Sequence, residues 1–147
     1  MKSLRSCGLP TIFGFLALAI GFGMLVSACG DIEVCDANHD CACVGVTGVC
    51  EHSCDGAGCS FSCTSSDDCI FHCEGGNCNV SCSNSDNCTV DCPGGGCTVG
   101  CSSMDSCKID SCEQQCDLTC STVDSCTNSC EEDTGCDTTD SGGYGGY

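Results

Sequence analysis

Cysteines 50, 69, 88, 107 and 126 fall a constant 19 residues apart, and the unit C-x-(apolar)-x-C-x4-C-x-(apolar)-x-C-x5 recurs around them almost five times. A fixed period of this length marks a chain that stacks one small unit on the next, and it outranks local propensity as evidence of architecture. The third unit is the most regular: Cys88-Thr-Val-Asp-Cys92, Pro-Gly-Gly-Gly, Cys97-Thr-Val-Gly-Cys101, then Ser-Ser-Met-Asp-Ser. Cys88, Val90 and Cys92 alternate with Thr89 and Asp91, the pattern of a half-buried strand. The Gly-rich and Ser/Asp-rich pieces between strands carry residues that tolerate tight or positive-φ backbone, so they read as turns.

Each unit is therefore a coil of two short strands and two turns, and the fold class is all-β, a small disulfide-rich β-solenoid of about five coils. Stacking at about 4.8 Å puts His52, Phe71, Val90, Ile109 and Asn128 in one inward ladder and Phe61, Val80, Val99 and Leu118 in the other. Polar residues at the ends of the first ladder are what a solenoid needs to stop stacking on itself. A disulfide-stapled antiparallel meander is the alternative fold, but it would leave the cysteine and valine face open to water. The fourth unit keeps the 19-residue total while its second cysteine, Cys112, comes one place late.

The chain also carries an address. Lys2 and Arg5 precede an apolar run from Thr11 to Val26, and Val26-Ser27-Ala28 supplies small residues before Cys29, so residues 1–28 read as a signal peptide. The run is shorter than the ~20 residues a membrane span needs. Leu25-Val26-Ser27-Ala28-Cys29 resembles a bacterial lipobox, with Val26 where leucine is commoner. The resemblance implies a diacylglyceryl thioether on Cys29 and, after cleavage, usually a third acyl chain on its amine, enough for stable anchoring. Residues 29–34 then form a tether, 35–49 an irregular Cys-rich cap, 50–136 the repeat body and 137–147 a disordered Gly/Tyr tail. Gly30 and Asp31 do not clearly spell the inner-membrane retention signal known in some bacteria, which favours the outer membrane.

Without the leader the chain keeps one lysine, Lys108, no arginine, and all 21 carboxylates, a formal charge of −20. Nucleic acid and anionic substrates are poor partners for such a surface. A cationic or Ca²⁺-bridged envelope partner fits it, alongside the membrane reached through the lipid. Of the 24 cysteines, setting aside Cys7 in the leader and Cys29 leaves 22, an even number suited to complete pairing. With no tryptophan and few aromatics, an exported chain of this size reads as a disulfide framework.

A near-to-near, far-to-far rule within each coil predicts Cys54 with Cys59, Cys50 with Cys63, Cys73 with Cys78, Cys69 with Cys82, Cys92 with Cys97, and Cys88 with Cys101. For the fourth coil it predicts Cys112 with Cys116 and Cys107 with Cys120. No pairing is assigned to Cys35, Cys41, Cys43, Cys126, Cys130 or Cys136. Bridges between equivalent cysteines of neighbouring coils would need parallel Cβ vectors, which suit a disulfide poorly. The in-coil bridging resembles that of the disulfide-laced β-solenoids of insect antifreeze proteins, a likeness of construction without their regular Thr-Cys-Thr face.

Asp67, Asp86, Asp105 and Asp124 also recur every 19 residues, in the Ser/Asp turns. Stacked carboxylates repel, and oxygen-rich turns suit Ca²⁺, so these four are the candidate metal ligands for a Ca²⁺-dependent adhesion module. The competing account is that each accepts hydrogen bonds from its own turn's amides. Ice binding is disfavoured because the outward positions Ile70, His72, Asp91, Lys108 and Asp110 break any regular threonine array. A thiolate metal store is a further alternative, but C-x3-C and C-x4-C dominate here over the C-x-C and C-x2-C spacings of metal clusters. No cofactor is implied. An enzyme is not expected either: His39, His52 and His72 are the only imidazoles, and neither a nucleophile elbow nor a phosphate loop is present. The reading is an exported, lipid-anchored envelope protein with a structural or binding role.

Overall fold

The fold follows from the 19-residue register. In a computed structural model, which describes residues 33–35, 40–130 and 135–141, parallel strands pair each coil with the next. The strands are β1 (Glu33–Cys35), β2 (Asp40–Val44), β3 (Val49–Cys54), β4 (Ser60–Thr64), β5 (Asp68–Cys73), β6 (Asn79–Ser83), β7 (Asn87–Cys92), β8 (Thr98–Cys112), β9 (Asp117–Cys130) and β10 (Asp137–Asp140). One wall runs β1, β3, β5, β7 and the second half of β8, and the other runs β2, β4, β6 and the first half of β8. β9 pairs with both halves of β8 and so continues both walls, and β10 lies on its first half. Every pairing between described strands is parallel, which excludes the antiparallel meander.

Alternation along each strand sends every second side chain inward. On the first wall His52 pairs with Phe71, Phe71 with Val90, Val90 with Ile109, and Ile109 with Asn128. On the second wall Phe61, Val80, Val99 and Leu118 form the matching ladder. All of the apolar members are buried, and the Phe61 and Phe71 rings stack across the interior at 4.8 Å between centroids. His52 continues that stack over Phe71 at 6.2 Å.

A third inward ladder runs through the Ser/Asp turns, where the middle residues Ser66, Ser85, Met104 and Val123 are all buried, with Val46 packed against them. The two serines are satisfied along the axis. Ser66 Oγ accepts the Val46 amide and Ser85 Oγ accepts the Ser66 amide, each at 3.2 Å. Toward the C-terminus the methionine and valine replace hydroxyls with apolar bulk, and there β8 and β9 run as unbroken strands through the turn. The signal was present in the sequence as a Ser-to-Met-to-Val series at 19-residue spacing, but turn composition masked it.

Coil four shows how the register is protected. Val90 pairs with Ile109, but Asp91 pairs with Ser111 and Cys92 with Cys112, so one extra residue bulges out of β8. That residue is Asp110, which is exposed and takes Lys108 Nζ at 2.5 Å. The turn that follows is shortened in compensation, and Cys112 stays in the sulfur column. A bulge disposes of one residue locally, whereas a register slip would turn every later side chain to the wrong face.

Both ends depart from the sequence reading. Within the segment 35–49, read as an irregular cap, Cys35 ends β1 and Asp40–Val44 forms β2, and these strands lie in register on β3 and β4 and extend both ladders by a coil. Asp137–Asp140, assigned to the tail, forms β10 against Asp117–Cys120. An open sheet edge offers unpaired amides and carbonyls to any segment delivered beside it, and this outweighs weak strand propensity. Residues 1–32, with the leader and Cys29, lie outside the described residues, as do His39 and 142–147.

The turns pile so closely that side chains are excluded from parts of them. A Cβ on Gly94 would lie 2.7 Å from the Gly76 nitrogen and 2.8 Å from the Gly75 carbonyl carbon. Positive φ recurs every 19 residues at Ser65, Asn84, Ser103 and Thr122, the last a β-branched residue at 58°. We expect Gly94→Ala to destabilise by roughly 1–3 kcal/mol through overpacking against backbone. Thr122→Asn, which copies the residue at Asn84, should stabilise by up to about 1 kcal/mol by relieving strain. Paired thermal melts of the oxidised proteins check both signs.

Candidate functional site

The chemistry-bearing groups are the sulfurs, and the turns bring them together. Each turn carries the chain from one wall to the other, and the cysteines flanking it end about 6 Å apart, within disulfide reach. Eleven bridges result, each between cysteines adjacent in sequence, and together they take all 22 cysteines from Cys35 onward. Across the Gly-rich turns Cys54 bonds Cys59, Cys73 bonds Cys78 and Cys92 bonds Cys97, and across the equivalent Glu113-Gln114-Gln115 turn Cys112 bonds Cys116, as the near-to-near rule has it.

The far-to-far pairs are different from those read in the sequence. Cys50 bonds Cys43, Cys63 bonds Cys69, Cys82 bonds Cys88, Cys101 bonds Cys107, and Cys120 bonds Cys126. Thus Cys50 with Cys63, Cys69 with Cys82, Cys88 with Cys101, and Cys107 with Cys120 are all corrected. The sequence rule treated a coil as a hairpin with an open end. A solenoid coil has none: the Ser/Asp turn leads directly into the next coil, and Cys63 lies 6.3 Å from Cys69 across it. At the termini Cys35 bonds Cys41 and Cys130 bonds Cys136.

Bridges of neighbouring coils stack into two columns. Groups such as Cys73, Cys92 and Cys97, or Cys82, Cys88 and Cys101, place their sulfurs within 4.8 Å of one another. Every cysteine in those groups is already bonded to sulfur, so the thiolate store proposed from cysteine abundance has no thiolate to work with in this state.

The Asp turns stack as the sequence requires. The Asp86 amide donates to the Asp67 carbonyl and the Asp105 amide to the Asp86 carbonyl, each at 3.1 Å, which fixes the spacing of the carboxylates by backbone contact. Asp67 Oδ2 accepts the Gly48 amide at 2.8 Å. The donor is not an amide of the same turn, as the own-turn account requires, but one on the preceding coil's turn. Asp67, Asp86, Asp105 and Asp124 are all exposed.

The outward faces differ. On the first wall His72 sits between carboxylates of the coils on either side, with Nε2 2.9 Å from Glu51 Oε1 and Nδ1 3.6 Å from Asp91 Oδ2. Its two nitrogens point to opposite partners, so the trio bridges three coils instead of forming one chelate. The second wall presents Ser60, Asn79 and Thr98 in one column and Ser62, Ser81, Gly100 and Thr119 in the next. Its interior coils carry no charge, a contrast that the sequence reading missed by weighing the first wall alone. A shallow depression of about 300 Å³ lies on it, lined by Asp40, Ser60, Phe61, Ser62, Asn79 and Ser81.

Protein families, curated proteins and solved structures were compared with this chain, and none matches.

The bridge pattern is directly checkable. Non-reducing digestion and mass spectrometry should recover Cys63 joined to Cys69 and Cys82 joined to Cys88, and recovery of Cys69 joined to Cys82 would overturn the sequential scheme. Removing one interior bridge as Cys82→Ser with Cys88→Ser should cost about 2 kcal/mol, the chain-entropy value for so short a loop. Denaturant unfolding of the double variant measures it.

Proposed function

We propose that this is an exported, lipid-anchored protein of a bacterial cell envelope, whose body serves a structural or binding role without catalysis. The observation that carries the reading is the complete sulfur pairing downstream of Cys29, because a framework of eleven bridges forms and persists in an oxidising compartment. The lipobox-like Leu25 to Cys29 supplies the route and the anchor.

The geometry of attachment is consistent with that role. β1 begins at Glu33, four residues past Cys29, and so short a tether spans at most about 14 Å. So short a tether would hold the body near the membrane surface. Its formal charge of −20 repels anionic lipid, so either a divalent cation or a basic partner would mediate closer contact.

The anchor is tested by expressing the full chain and a Cys29→Ser variant in a bacterial host supplied with radiolabelled fatty acid. The unaltered protein should carry label and sediment with membranes, while the variant should lose both. Membrane-associated label that survives the substitution would refute lipidation at Cys29.

A further inference from the structure

Among the described imidazoles, His52 is the one that lies against sulfur. It is buried at 6% exposure, and its Nε2 is 3.6 Å from Cys50 Sγ. Its ring nitrogens fall within 4.8 Å of two disulfides, Cys43 with Cys50 and Cys35 with Cys41. The two bridges differ in access. Cys35, Cys41 and Cys43 are buried, whereas Cys50 is half-buried. In the interior coils the corresponding residues Cys69, Cys88 and Cys107 are 1% exposed or less.

Thiol–disulfide exchange needs a reachable sulfur and a leaving thiolate that can be stabilised. We infer that the Cys43 to Cys50 bridge is a thiol-exchange site, whose substrate is an external thiol or dithiol and whose general acid is His52. The external thiolate attacks Cys50 Sγ, the S–S bond breaks, and its electron pair leaves on Cys43 Sγ, which lies within 4.8 Å of the His52 ring and takes a proton through it. A second external thiolate then attacks the mixed disulfide, forming the external disulfide and releasing Cys50. Two electrons enter the bridge, and the two protons come from the two thiols through imidazole and solvent.

The product is a local opening. The bridge ties β2 to β3 across Gly45 to Gly48, and once it is cut that turn is held by backbone bonds such as Gly45 amide to Thr64 carbonyl at 3.0 Å and by the Asp67 carboxylate. The ten remaining bridges leave the body intact.

Cys126, Cys130 and Cys136 at the other end are also half-buried but lie in no such cluster with an imidazole, so they are an internal control for exposure alone. The oxidised full chain is treated with limiting dithiothreitol, quenched with iodoacetamide at intervals and mapped. Cys43 and Cys50 should be alkylated first, at least about tenfold faster than Cys130 and Cys136. His52→Phe extends the Phe71 stack and should slow Cys43 and Cys50 about tenfold while leaving the other end unchanged. First labelling at any other pair, or equal rates in His52→Phe, overturns the proposal. Should that variant fail to accumulate oxidised, His52→Gln carries the same comparison, and the labelling order in the unaltered chain decides on its own.

Discussion

A covalent tie across every turn is the constraint that the rest of the molecule obeys. A coil of 19 residues encloses little more than one apolar side chain per strand, such as Val90 facing Val99, together with the sulfurs beside them. So narrow an interior cannot offset the entropy of ordering its chain by burial alone. Bridges shorten the list of unfolded conformations instead, by about 2 kcal/mol for each small loop, and they do so at both turns of every interior coil. Because each bridge joins neighbours in sequence, none depends on a distant contact having formed first, which suits a stack built one coil at a time.

Sulfur placement also explains the irregularities. When coil four gains a residue, the strand expels Asp110 as a bulge and the next turn gives up a residue, so that Cys112 still lies over Cys92. A local break in the ladder costs less than unpaired buried cysteines and a reversed face. The same logic accounts for backbone held at positive φ in Ser65, Asn84, Ser103 and Thr122. Those four positions set the direction of the turn that brings one cysteine beside the next, and a single glycine-like conformation is repeated there whatever the residue.

Much of this was legible from residue types. Period and alternation gave the coil, both inward ladders and the Gly-turn bridges, because a buried strand face and a Gly-rich reversal each have one physical solution. The Ser/Asp-turn bridges were not legible, since Cys63 is equally near in sequence logic to a strand it has left and to one it is about to enter. Only closure of the coil, a three-dimensional fact, chooses Cys69 over Cys50. Ser66 and Ser85 illustrate a second limit. Two serines in a polar turn read as solvated, yet their hydroxyls face inward because neighbouring coils supply the amide partners they need. Of the candidate sites, the Asp column was visible as a repeat, while His52 beside the half-buried Cys50 required the register of the first coils.

Covalent ties have a consequence for charge. Carboxylates a rung apart in a column repel by roughly 1 kcal/mol per pair in water before salt screening, and a solenoid repeats that cost with every coil. Here the columns are broken up where the chain allows it. His72 sits between Glu51 and Asp91, Asn87 donates to Asp68 at 2.6 Å, and Lys108 meets Asp110. The Asp67, Asp86, Asp105 and Asp124 column is not relieved in this way, and it is flanked by the bridges at Cys63 to Cys69, Cys82 to Cys88, Cys101 to Cys107 and Cys120 to Cys126. Each of those ties outweighs one step of repulsion. A chain free to carry so many like charges repels other copies at a distance, which opposes recruitment of strands to its sheet edges.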